Sequence, residues 1–165
     1  MSETPSDLLQ LLENLPPASH SLACAWLTRL AANASQAAGP WAQSLGLRFT
    51  YLQDGVCRAE LTLGKEFHNA LGIAHGSIAY ALADFTMGGA VFSMVGLERR
   101  PVTIEIKMTY HRAVQEGTLF GEGCVIHLGQ RIAYLEASVT DQAGERVASA
   151  SGTFFINQLA TAEHT

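Results

Sequence analysis

From Ser77 to Val95 the chain is apolar with the pattern of a long helix, and Asp84 is the only charged residue before Glu98. A carboxylate inside an apolar helix is costly to bury unless it has a partner. The helix therefore hides a paired structural acid or presents a working one. It is preceded by N-A-L-G-I-A-H-G-S, residues 69–77, a turn punctuated by Gly72 and His75-Gly76. A helix that is apolar nearly all round must be enclosed by other elements. The fold must supply that enclosure.

The 165 residues suggest one domain with a modest extension. Apolar residues make up 48% of the chain, which is ordinary for a packed domain. Ten basic and fifteen acidic residues give a net charge of −5, which argues against a nucleic-acid partner but leaves room for a small anionic ligand. Cys24, Cys57 and Cys124 are odd in number and widely spaced, so neither a disulfide framework nor a zinc site is indicated; they read as small apolar fillers. The start, S-E-T-P-S-D, lacks the basic region of a secretory signal, and Gly88-Gly89 make the apolar helix a poor lipid-facing span. A cytoplasmic protein without a membrane partner is the expectation.

Residues 1–40 read as a helical extension. Ser6 is expected to cap a helix over Asp7–Leu15 with leucines on a broad face, and Pro16-Pro17 to end it. A second helix is expected from Ala18 to about Ala37, with Leu22, Trp26, Leu27 and Leu30 as a stripe that packs on the domain or on a neighbouring subunit. Gly39-Pro40 mark the boundary. The main domain is set at residues 41–157 and a tail at 158–165. After a short turn or helix at Trp41–Leu45, Leu47–Gln53 and Val56–Leu63 alternate about Asp54-Gly55, a hairpin signal. Past the long helix, four strand-like runs cover Val102–Arg112, Gly117–Leu128, Arg131–Asp141 and Arg146–Ile156. Their short connections predict an antiparallel meander. The predicted fold is α+β: an antiparallel sheet curled around a central helix. Its open edge and incomplete cover predict a dimer.

The first amides of the long helix, near Gly76, Ser77 and Ile78, lack intrahelical partners and sit at the positive end of the helix dipole. Gly76 lets a ligand oxygen approach closely, so this is a candidate oxyanion hole; a plain capped turn is the alternative. Asp84 lies eight residues further, roughly 12 Å along the axis. One carbonyl cannot be served by both groups of one chain. Two antiparallel helices about a two-fold axis would bring Gly76 of one subunit to Asp84 of the other. Asn69 can hold a carbonyl or a water, or satisfy its own loop. His75 suits either a general base or an imidazole that fixes the turn. Thr103, early in the next strand, suits the positioning of a water. Tyr80, Phe85, Met87 and Met94 suit either an acyl tunnel or plain core.

Taken in order, N-x-x-G-x-x-H-G-(small), A-L-A-D, V-T-I-E-I-K-M-T-Y-H-R-A, G-Q-R-I-A-Y-L-E-A-S-V-T-D and G-T-F-F resemble the hotdog-fold superfamily of acyl-CoA thioesterases, in particular the phenylacetic-acid-degradation type. The resemblance covers about Trp41 to Asn157. It implies the hotdog fold, with subunits joined as a homodimer or homotetramer. It implies Asp84 as catalytic carboxylate, Gly76 as oxyanion amide, Asn69 as the residue that positions thioester or water, and Thr103 as a hydroxyl from the same subunit as the acid. The substrate contacts expected are His68, His75, Ser77 and Arg131, the last facing the CoA phosphates. No metal or redox cofactor is implied, since CoA belongs to the substrate.

The usual motif reads H-G-G, whereas this chain has His75-Gly76-Ser77. Gly76 is kept, and Ser77 narrows the pocket or adds a hydroxyl near the CoA arm. The expected reaction is hydrolysis of an acyl- or aryl-CoA thioester to free acid and CoA, with Asp84 as general base or nucleophile. Two alternatives stand: a non-catalytic acyl-CoA-binding protein, and a hotdog hydratase or dehydratase, for which no matching Asp–His pair is evident.

Overall fold

The computed structural model describes residues 4–34, 39–96 and 98–158. Its helices are α1 (Pro5–Glu13), α2 (Pro17–Asn33), α3 (Gly39–Leu45) and α4 (Gly76–Val95), with a 3₁₀ turn at Lys65–Phe67. Its strands are β1 (Arg48–Gln53), β2 (Val56–Thr62), β3 (Arg99–Tyr110), β4 (Thr118–Leu128), β5 (Ile132–Thr140) and β6 (Arg146–Gln158). All pairings are antiparallel, in the order β1-β2-β4-β5-β6-β3.

The sheet and its single long helix are as the sequence predicts, and so is the β1–β2 hairpin. Asp54 and Gly55 take φ of 50° and 76°, the left-handed pair that a two-residue hairpin turn needs. The four-strand meander is corrected. Only β4, β5 and β6 follow one another; β3 pairs with β6 at the far edge. The connection after β3 is seven residues, 111–117, with no strand of its own. It is too long for a tight hairpin and carries the chain back to β2.

Helix α4 lies across the sheet against β4, β2, β3 and β5. By length and composition it would suffice to cross a bilayer. Here Ile78, Ala79, Leu82, Ala83, Met87, Ala90 and Val91 are instead buried in the domain core. Gly123 makes the close approach possible, because a Cβ there would lie 2.5 Å from the Thr86 carbonyl carbon. Thr86, fully buried, spends its hydroxyl on the carbonyls of Leu82 and Ala83 at 2.9 and 3.0 Å.

The extension differs in detail from expectation. Thr4, not Ser6, caps α1 through a reciprocal capping box with Asp7, with Pro5 in the first turn. The helix ends at Glu13. Pro17 opens α2 rather than closing α1, since its fixed φ suits a first helical turn. The last residues of the predicted second helix fall within 35–38, outside the described residues. Gly39 and Pro40 begin α3 instead of forming only a boundary. The leucine stripes do not pack on their own domain as a whole: Leu8, Leu9, Leu11, Leu22 and Leu30 are exposed. The docking is carried by two residues of α2. Trp26 meets Phe67 edge-on at 5.5 Å, and the Arg29 Nε donates to Glu66 Oε1 at 2.8 Å. Cys24 is exposed on α2, so the reading of all three cysteines as core fillers holds for Cys57 and fails for Cys24. All of the proposed tail but Gln158 lies outside the described residues.

Candidate active site

Two groups of residues gather along α4, one at its start and one near its middle. At its start, His75 is the N-cap. Its Nδ1 accepts from the Ser77 amide at 3.1 Å and lies 2.7 Å from the Ser77 hydroxyl. The turn-fixing role of the imidazole is therefore realised, and Ser77 takes part in it. With Nδ1 accepting, the ring proton sits on Nε2. Among the described residues no hydrogen bond is donated by the Gly76 amide. This is the first amide of the helix, where the dipole is positive.

Gly76 is also pressed by its own chain. A Cβ there would lie 3.2 Å from Cε1 and Cζ of Tyr110, whose hydroxyl donates to the Gly76 carbonyl at 3.1 Å. Burial raises the Tyr110 phenol above its ordinary range, with Tyr80 adding to the shift, so it remains a donor at neutral pH. Tyr110 was missed in the sequence, where it is one alternating residue of β3.

The loop before α4 is tied down closely. Asn69 Oδ1 accepts from the Leu71 amide at 2.9 Å, and the Asn69 amide donates to the Ile73 carbonyl at 2.8 Å. This Asx turn uses the side-chain oxygen for the loop. The Asn69 Nδ2 enters none of the hydrogen bonds among the described residues. His68 Nε2 pairs with the Gln115 carbonyl at 2.7 Å, fastening the loop to the 111–117 connection.

Two turns further along α4 the second group forms. Thr103 on β3 donates its hydroxyl to Asp84 Oδ1 at 2.8 Å. Asp84 is half-buried. Both residues line a groove of about 770 Å³, together with Phe49, Phe85, Gly88 and Phe154. Phe49 and Phe85 meet edge-to-face at 6.4 Å. Of the four residues weighed for an acyl tunnel, Phe85 lines the groove, Met87 is fully buried core, and Tyr80 and Met94 are exposed elsewhere. Phe49 and Phe154, from β1 and β6, were not legible as partners because only the pairing order brings those strands beside α4.

Arg131 does not line this groove. It lies in a separate cleft of about 460 Å³ with Arg99 and Asn157. Arg99 donates to the Gln130 carbonyl, and its buried Nε has no partner among the described residues. Arg99 and Thr103 are four residues apart on β3, hence on one face and roughly 13 Å apart.

Comparison with known proteins gives the family and the fold. Residues 71–148 match the family model described as the thioesterase superfamily. Over 120 residues the chain is 33% identical to the proofreading thioesterase EntH of Klebsiella pneumoniae, covering 73% of this chain and 87% of that one. A conserved protein of Pseudomonas aeruginosa superposes with a TM-score of 0.70 and 35% identity, over 72% of this chain and 94% of its own. A phenylacetic acid degradation protein, PaaI, of Thermus thermophilus (the Asn-to-Asp variant) gives 0.65 and 25%, over 71% and 98%.

Proposed function

The chain belongs to the thioesterase superfamily and is a thioester hydrolase of the hotdog fold, and we propose that it hydrolyses acyl-CoA thioesters at a site shared by two subunits. The observation that carries this reading is the Asp84 carboxylate, fixed by Thr103 and open to an apolar groove. The acyl group enters the groove. The thioester carbonyl is polarised by the Gly76 amide and the dipole of the partner subunit's α4. Asn69 Nδ2 and His75 Nε2, from the residues just before that helix, are the further donors this reading assigns to the carbonyl.

Asp84 takes a proton from water as general base, or attacks the carbonyl carbon to give an anhydride that water then opens. Either route expels the CoA thiolate, which leaves as the thiol once protonated. Thr103 holds the carboxylate in one rotamer. The chain separates Asp84 and Gly76 by two helical turns, so the site requires a second copy. Strand β3 offers the means. It is an edge strand with Val102 and Ile104 more than half exposed, at 52% and 55%. Such an edge invites pairing with another copy. A homodimer, or a homotetramer built from two, follows. Arg131 and Arg99, which share a separate cleft, are the cations this reading assigns to the CoA phosphates.

The reading needs no nucleic acid, membrane, metal or redox cofactor, and it assigns the protein to the cytoplasm, where acyl-CoA is made and used. It is tested by following release of free thiol from phenylacetyl-, hydroxybenzoyl-, short- and long-chain acyl-CoA. Turnover of one class supports it. No turnover of any member, with CoA bound tightly, would replace it by a binding role.

A further inference from the structure

Two adjacent glycines interrupt α4, and only one of them is needed by the packing. Glycine within a helix costs about 1 kcal/mol relative to alanine, so a glycine that packing does not require calls for another reason. At Gly89 the reason is plain: a Cβ would lie 2.6 Å from the Cys57 Sγ. At Gly88 the nearest atom to a Cβ is Phe154 Cε1 at 3.7 Å, ordinary contact, so the fold of the chain would accept a side chain there. Gly88 lies one helical turn after Asp84, on the same face, and lines the same groove. A side chain at 88 would project into the space beside the carboxylate.

The walls around that space are apolar. They come from Phe49, Phe85, Phe92 and Phe154, with Leu52. The one cation on the rim, Arg48, is already paired with Glu60. Among the described residues of this chain that line the groove, only Asp84 carries an unpaired charge, so an anionic acyl group finds no counter-ion there.

We propose that Gly88 sets the size of the acyl group, and that the missing side chain reserves the groove for an acyl group bulkier than acetyl and without negative charge. The inference rests on the acyl-CoA reading above and extends it to a specificity-determining residue. A residue at 88 acts on the substrate directly by occupying the volume the acyl group needs, and not through Asp84, whose partner Thr103 approaches from β3.

The test compares kcat/KM for acetyl-CoA and phenylacetyl-CoA in the wild type, Gly88→Ala and Gly88→Leu, with subunit mass followed by light scattering. The wild type is expected to favour phenylacetyl-CoA. Gly88→Ala, which fits without displacing Phe154, is expected to lower the phenylacetyl-to-acetyl ratio about tenfold, and Gly88→Leu a hundredfold or more. An unchanged ratio in both variants, an equal fall for both substrates, or loss of the oligomer would overturn the proposal, the last because it would show that Gly88 serves a subunit contact. A wild type that hydrolyses neither ester nor any other CoA ester would overturn the acyl-CoA reading itself, a result distinct from turnover with an unaltered ratio.

Discussion

Thr103 on the edge strand β3 donates its hydroxyl to Asp84 on the central helix at 2.8 Å, so the one acid of α4 is held from outside its own helix. The Asp84 side chain lines the groove. A bond to a charged acceptor of this kind is worth about 1.5–3 kcal/mol. Thr103→Val, nearly isosteric, is expected to lower kcat by roughly tenfold while KM changes little, and Thr103→Ser to restore most of the rate. Steady-state kinetics on the best acyl-CoA check it. An unchanged kcat in Thr103→Val would deny the hydroxyl any part in positioning the acid.

The division of the site between subunits has its own test. On the proposed reading, Asp84→Asn and Asn69→Ala each remove one half of the site, from opposite subunits. Mixed dimers would contain one intact site, and random reassortment would restore about a quarter of the wild-type activity. Unfolding and refolding the two inactive variants together, with thiol release as the readout, measures this. No recovery, despite mixed dimers shown by mass spectrometry of tagged chains, would place Asp84 and Asn69 in the same site of one chain.

Arg29 anchors the extension. Its guanidinium bonds Glu66 and reaches the Leu45 and Thr62 carbonyls, both at 3.1 Å, and it stacks 4.4 Å from the Phe67 ring centre. The Arg29 and Glu66 side chains are only 14% and 6% exposed. Arg29→Ala leaves the Glu66 carboxylate buried without its partner and is expected to destabilise the protein by about 3 kcal/mol. Replacing both, as Arg29→Met with Glu66→Leu, is expected to recover most of that loss. Chemical denaturation of the three proteins decides it.

The cysteines are expected to differ in reactivity. Burial pushes the Cys57 thiol up to about 12, so at pH 8 it stays protonated and unreactive, and thiolate appears only as pH approaches that value. Cys124 is also raised, by burial first and by Glu122 next. Cys24 is exposed. Native protein treated with a thiol-specific dye at pH 8 is therefore expected to label Cys24 first and Cys57 only after unfolding, as peptide mapping will show.

The legible part of this molecule was the part governed by local pattern. Alternation and the Asp54-Gly55 turn located β1 and β2, and the long apolar run located α4, because each signal lies within one element. The pairing of β3 with β6 was hidden, since loop length alone does not tell which edge a strand reaches. For the same reason Phe49 and Phe154 went unread as walls of the groove, and Arg99 as the neighbour of Arg131. Asp84 stood out because a lone carboxylate in an apolar helix is costly, whereas Tyr110 did not, because a tyrosine in a strand is ordinary. The leucines of α1 were readable as a face, but a face does not name what covers it.

The account stands most directly on one comparison: free-thiol release from the preferred acyl-CoA by wild-type protein and by Asp84→Asn at equal, verified foldedness. The substitution keeps the shape and removes the base or nucleophile. It is expected to lower kcat by roughly 10²- to 10⁴-fold with unaltered thermal unfolding. Turnover within a few-fold of the wild type would show that Asp84 is not the catalytic carboxylate.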